Sequence, residues 1–222
     1  EQLGNFQDAI DNYLITTELD DPTAFVYLRV GECYEKLEKL DTAISYYQKS
    51  VHEDPLLEKG WILLTNIYFD QKKYQKAAYH VSKALKIDED NALYWRRYAE
   101  INLKLSFYEE AVSGFGSCLR LGDTSPEIYM GLADVLTFLG EFNDALRVVL
   151  DAQKTHKYFA EVEYRLVGLF FVLNKEKYAL THLISAMKID YEYHTILNEL
   201  YPVVYENVKI QKLLTAYKKA TE

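Results

Sequence analysis

The chain has 222 residues, 49% of them hydrophobic, and carries 25 Lys and Arg against 34 Asp and Glu. That much apolar material excludes an extended disordered tail. A formal charge of −9, with no segregated basic patch, repels phosphate backbones and anionic lipid surfaces and argues against nucleic-acid and membrane partners. No apolar run approaches the ~20 residues that a membrane helix requires.

Taken in chain order, the dominant signal is a repeat. An alanine recurs at Ala9, Ala43, Ala77, Ala111, Ala145 and Ala179, each step 34 residues, with Leu213 in the next place. The same step links the bulky series Tyr13, Tyr47, Val81, Phe115, Val149, Leu183 and Tyr217. It also links the small series Thr16, Ser50, Ala84, Cys118, Ala152, Ala186 and Ala220. In the other half of each unit Tyr27, Trp61, Trp95 and Tyr129 are aromatic at the same spacing, and Gly31, Thr65, Ala99 and Ala133 are small.

Within a unit the apolar places fall at helical intervals, as in Trp61, Leu64, Tyr68 and then Tyr74, Ala77, Val81 and Ala84, which predicts two short amphipathic helices. Breaks at Asp20-Asp21-Pro22, Asp54-Pro55, 88–91 and 123–126 separate the units. Ser125 before Pro126 predicts a capped helix start, and Ser106 with Glu109 reads as a capping box for a second helix. Small residues let helix backbones approach, and a hairpin this short must bury its apolar face on neighbours.

The places Trp61, Leu64, Tyr68, Tyr74, Ala77, Ala84 and Trp95, Ala99, Tyr108, Ala111 resemble the tetratricopeptide repeat pattern, over nearly the whole chain. The expected fold is all-α: an α-solenoid of stacked antiparallel helix pairs in 34-residue units, forming a right-handed superhelix. Residues 1–23 are expected to be the second helix of a truncated repeat, followed by repeats at 24–57, 58–91, 92–125, 126–159 and 160–193. A degenerate capping pair follows at 194–222, where Pro202 interrupts the first helix. Two local departures are Asn102 where Tyr34 and Tyr68 predict an aromatic, and Glu163 where Trp61 and Trp95 predict one.

The resemblance implies that the first helix of each pair lines an inner face. In register, the expected partner-binding residues are Phe25, Leu28 and Glu32; then Ile62, Asn66 and Phe69; then Arg96 and Glu100. The later repeats add Met130, Asp134 and Phe138, then Tyr164 and Phe171. The Lys and Asn clamp that chaperone-binding members use for C-terminal carboxylates is broken, because Leu28 and Glu32 stand in its places.

Residues that suggest catalysis fail on context. Gly114-Phe115-Gly116-Ser117 lies inside a second helix, without the preceding strand and lysine of a phosphate loop. The five histidines share no helix face, so metal binding is unsupported, and His80 and His182, three units apart, are expected to face solvent. Cys33 and Cys118 read as small buried hydrophobes rather than a disulfide. Reduced thiols suit a cytoplasmic setting, with a periplasmic or secreted origin left open by the start at Glu1.

The function expected is therefore a non-catalytic scaffold, without cofactor, that binds a protein or peptide segment in its groove. A helper domain of a larger enzyme or assembly is the alternative. An RNA-reading helical repeat is disfavoured by the step of 34 and the acidic charge. The face formed by Phe6, Ala9, Ile10 and Tyr13 is expected to lack its cover and to permit self-association.

Overall fold

The computed structural model describes residues 2–19 and 23–221, with the side chains of 5–15 and 23–221. Every element among the described residues is helical. In order they are α1 (Gln2–Leu19), α2 (Ala24–Lys36), α3 (Leu40–Glu53), α4 (Glu58–Asp70), α5 (Tyr74–Ile87), α6 (Ala92–Lys104) and α7 (Tyr108–Arg120). Then come α8 (Pro126–Phe138), α9 (Phe142–Thr155), α10 (Ala160–Val172) and α11 (Glu176–Ile189). A 3-10 turn (Glu192–Thr195) leads to α12 (Ile196–Leu200), α13 (Pro202–Tyr205) and α14 (Val208–Thr221). The chain divides into two compact units, residues 1–117 and 118–222.

The repeat series become the core. Ala43, Ala77, Ala111, Ala145 and Ala179 are fully buried, and Tyr47, Val81, Phe115, Val149 and Leu183 are buried beside them in their respective units. In the first unit Leu28, Tyr47, Leu64, Val81 and Ile101 join one apolar cluster. A Cβ on Gly31 would come within 2.6 Å of the Tyr47 ring, so the glycine sets how closely α2 and α3 pack. Trp61 and Trp95 each donate their indole N–H to a carbonyl six residues earlier, Pro55 and Glu89, at 3.0 and 2.7 Å. The series thus fixes the loop entry as well as the wedge between helix pairs.

The turn inside each pair repeats as faithfully. Glu38, Lys72, Ser106, Gly140 and Asn174, again 34 apart, all adopt left-handed backbone with φ between 57° and 79°. The N–H of the following residue bonds back five residues, as from Lys73 to Tyr68 O at 2.8 Å and from Lys175 to Phe170 O at 2.8 Å. This is the Schellman arrangement, which satisfies the last carbonyls of the first helix. It corrects the reading of Ser106 as an N-cap: its φ of 62° belongs to the turn that ends α6, and its N–H serves Leu103 O. Ser125 does stand at the N-cap of α8 with Pro126 next, but its hydroxyl donates to Asp123 Oδ1 at 2.7 Å instead of capping the helix.

The two departures from the pattern are repaired locally. Asn102 is buried and its side-chain amide donates to Tyr98 O at 2.8 Å. Glu163 is buried and accepts from Gln153 Nε2 at 2.5 Å, with His182 Nδ1 at 2.8 Å.

His80 and His182 do not face solvent as expected. His80 is only 9% exposed and stacks on Tyr68, while His182 is half-buried and stacks on Phe170. An imidazole next to an aromatic at the same register place of the first helix packs flat against it, whatever its polarity.

Candidate functional site

The first helices of the first unit, α2, α4 and α6, are tied side by side through their inner faces. Glu32 on α2 bridges to Arg29 at 2.9 Å and across to Lys59 of α4 at 2.6 Å. Burial acts to raise the Glu32 carboxyl, but the hydrogen bonds and charges of Lys59 and Arg29 outweigh it and hold the group below the ordinary range. Between α4 and α6 the Arg97 guanidinium lies 4.6 Å over the Phe69 ring, and Glu100 binds Arg97 at 2.9 Å and Arg96 at 3.4 Å.

Beside that seam is a cleft of about 540 Å³ lined by Ile62, Asn66, Leu93, Tyr94, Arg96, Arg97 and Glu100. Four of the expected residues, Ile62, Asn66, Arg96 and Glu100, meet in it. Leu93 is 68% exposed at its rim and Phe25, farther along α2, is 53% exposed. Tyr94 and Arg97 were missed by register reasoning. Their places hold Gly60 and Leu63 one repeat earlier, so nothing in the pattern marked them.

Three expected residues do not offer a surface at all. Leu28, Met130 and Tyr164 are buried at the same register place of three first helices, α2, α8 and α10. Long apolar side chains there turn into the protein, as Leu28 does toward Gly60, whereas Arg96 at the equivalent place stays half-exposed. Tyr164 in addition donates its hydroxyl to the carbonyls of Asp190 at 3.0 Å and Tyr191 at 3.3 Å. Phe69 is half-buried against Tyr74 as well as Arg97.

In the second unit Asp134 on α8 and Glu161 on α10 grip Arg165, whose side chain is 6% exposed. Burial opposes the charge on Arg165, and its two carboxylate partners more than restore it. Tyr193 donates to Glu161 at 2.9 Å, and burial followed by that bond pushes its phenol up to about 12. The Tyr201 ring packs against Gly168, with the Thr137 side chain facing its hydroxyl group. Phe138 is exposed and Phe171 half-buried.

Near the other end, Phe6, Ala9 and Tyr13 of α1 line a cleft of about 520 Å³ with Arg29, Cys33 and Leu63, while Ile10 is fully buried. Neither cysteine forms a disulfide. Among the described residues no helix is long and apolar enough to cross a membrane, and no three His, Cys, Asp or Glu group to hold a metal ion.

Stacked antiparallel hairpins with apolar and charged residues on their first-helix faces define an α-solenoid. Residues 1–57 match the tetratricopeptide repeat family, and the stacked helix pairs have the fold of tetratricopeptide repeat structures. Among solved structures the chain is similar to YrrB, described as a TPR protein with an unusual peptide-binding site, with a TM-score of 0.69 and 18% identity over 80% of this chain and 92% of that one. It is also similar to MamA, with a TM-score of 0.67 and 16% identity over 80% and 94%. A third is pilF of Pseudomonas aeruginosa, with a TM-score of 0.60 and 17% identity over 97% and 91%.

Sequence relatives are intraflagellar transport protein 70A of Xenopus laevis, 19% identical over 69% of this chain, and anaphase-promoting complex subunit 3 of Schizosaccharomyces pombe, 20% identical over 82%. The chain spans about a quarter of each, 23% and 27% respectively.

Proposed function

We propose that this chain is a non-catalytic scaffold that holds an extended or helical segment of a protein partner against the first-helix face of residues 24–104. The observation that carries this reading is the cleft between α4 and α6, where Ile62 and exposed Leu93 adjoin the polar groups of Asn66, Arg97 and Glu100. Apolar anchors ringed by polar groups are the composition of interface centres, where a few side chains supply most of the affinity. The neighbouring structure described as having a peptide-binding site supports the reading by analogy.

The test compares captured partners for the wild-type chain, for Leu93→Asp with Phe25→Asp, and for Tyr158→Ser as a control at a loop position 87% exposed. The first-helix variant keeps its helical circular dichroism and loses a partner that the other two retain, which is then confirmed with purified components. Identical retention by all three proteins overturns the reading.

A second reading, self-association, is favoured by the cleft at Phe6, Ala9 and Tyr13. Sedimentation of Tyr13→Asp against the wild-type chain tests it: a concentration-dependent oligomer lost in the variant supports it, and two monomers refute it.

A further inference from the structure

The second unit differs from the first in what lies on its first helices. At the ninth place of each repeat the chain carries Glu32, Asn66, Glu100 and Asp134, all polar and all partly exposed. The next residue in the series is Gly168. A Cβ there would come within 2.2 Å of the Tyr201 ring, so the missing side chain is what admits the ring.

The chain is shaped to deliver it. Helix α12 ends at Leu200, Tyr201 leaves helical backbone at φ −138° and ψ 62°, and Pro202 opens α13. That break lets residues 200–204 run across α10 to the C-terminal end of α8, where Tyr201 meets Thr137 and Val203 lies beside Phe138. Tyr201 is 6% exposed, and Leu197 and Val204 flank it in the core.

We propose that the Gly168 and Thr137 slot is a subsite for a p-hydroxyphenyl side chain, filled in cis by Tyr201, so that the first-helix face of residues 126–172 is occupied by the chain itself. The inference rests on reading first-helix faces as partner surfaces. It assigns partner capture to the first unit, and it fixes the ligand chemistry of the second as a tyrosine-bearing segment that enters only when Tyr201 is withdrawn. A tethered occupant acts at an effective concentration in the millimolar range, so a free segment cannot compete while the ring is in place.

The experiment uses the full chain and a fluorescent peptide spanning residues 195–206. Tyr201→Ala empties the slot, and the peptide should bind this variant at least tenfold more tightly than the wild-type chain. A peptide with Tyr201 replaced by alanine should bind neither protein. Tyr201→Leu, which keeps apolar bulk without reaching Thr137, takes its place if the alanine variant loses helical circular dichroism.

A folded variant that does not bind the peptide overturns the proposal, as does equal binding by wild type, or equal binding of the alanine peptide. If both variants lose their helicity, Tyr201 is an obligate core residue and the proposal falls. No partner protein is present in this assay, so its failure leaves the capture experiment on the first unit untouched.

Discussion

His80 lies face to face with Tyr68, ring centroids 5.2 Å apart and planes 12° from parallel, and its Nδ1 is buried with no hydrogen-bond partner. Trp61 and Tyr79 close the other sides, and Lys76 adds a like charge from the same helix. Burial, then Lys76, pulls the imidazole down to about 4 from its ordinary 6.5.

A group whose folded pKa is depressed stabilises the fold fully above its unfolded pKa and loses that contribution as pH falls. The melting temperature should therefore drop on acidification from about pH 6.5 toward 4, with roughly 2–3 kcal/mol at stake. His80→Phe removes the orphan nitrogen and keeps the stack. It should raise stability by about 1 kcal/mol at pH 7 and flatten the melting profile above pH 4.5. An unchanged slope would place the acid sensitivity in a group other than His80, and Glu163 is not that group. Burial works to raise the Glu163 carboxyl, but the His182 and Gln153 hydrogen bonds hold it low, so its contribution is lost only below about pH 4.5.

The repeated turn offers a second test. Lys72 sits at φ 57° in the place that Gly140 occupies at 79°. A Cβ in left-handed backbone is strained, and glycine is not. Lys72→Gly should raise stability by about 0.5–1 kcal/mol and Gly140→Ala should lower it by about 1 kcal/mol, read from urea denaturation midpoints. If Lys72→Gly destabilises, unfolded-state entropy outweighs the strain at this turn.

The helix pairs were legible because three independent 34-residue series constrain each unit, and burial of Ala43, Ala77 and Ala111 follows directly from that spacing. The site was legible only in part. Register places a residue on a helix face, but whether a side chain at that place points out or packs in depends on its own chemistry. That is why Leu28, Met130 and Tyr164 are core while Arg96 is not. Arg165 and Tyr201 escaped notice because each acts through partners 31 or more residues away, Asp134 and Gly168, and no periodicity records such a pairing. The one available signal was Gly168 itself, the only glycine in a polar series.

Gly114 and Gly116 look alike in sequence and differ in space. A Cβ on Gly114 would meet the Ala99 side chain at 2.8 Å and its backbone at 3.0 Å, whereas nothing lies within 4 Å of one on Gly116. Gly116→Ala should stabilise α7 by about 0.5–1 kcal/mol through helix propensity alone. Gly114→Ala must push α6 and α7 apart and should destabilise by about 1–3 kcal/mol. Thermal melts of the two variants showing the same sign would contradict the close approach at Ala99.

Phe69 and Phe138 both entered the sequence reading as anchors of a partner surface, and the structure separates them. Phe69 is half-buried, with Arg97 at 4.6 Å over its face and Tyr74 at 5.5 Å against its edge, so it joins α4 to both α5 and α6. Phe138, at the end of α8, is 68% exposed. Replacing Phe69 with serine removes a large part of a buried ring, an edge contact between aromatics and a guanidinium stack together. The expected loss is about 2–3 kcal/mol. Replacing Phe138 with serine uncovers little additional surface and should cost about 1 kcal/mol or less. The pair should therefore differ by at least about 1 kcal/mol in urea denaturation. Equal losses would mean that Phe69 contributes no more to packing than an exposed ring, and it would return to the set of residues free to contact a partner.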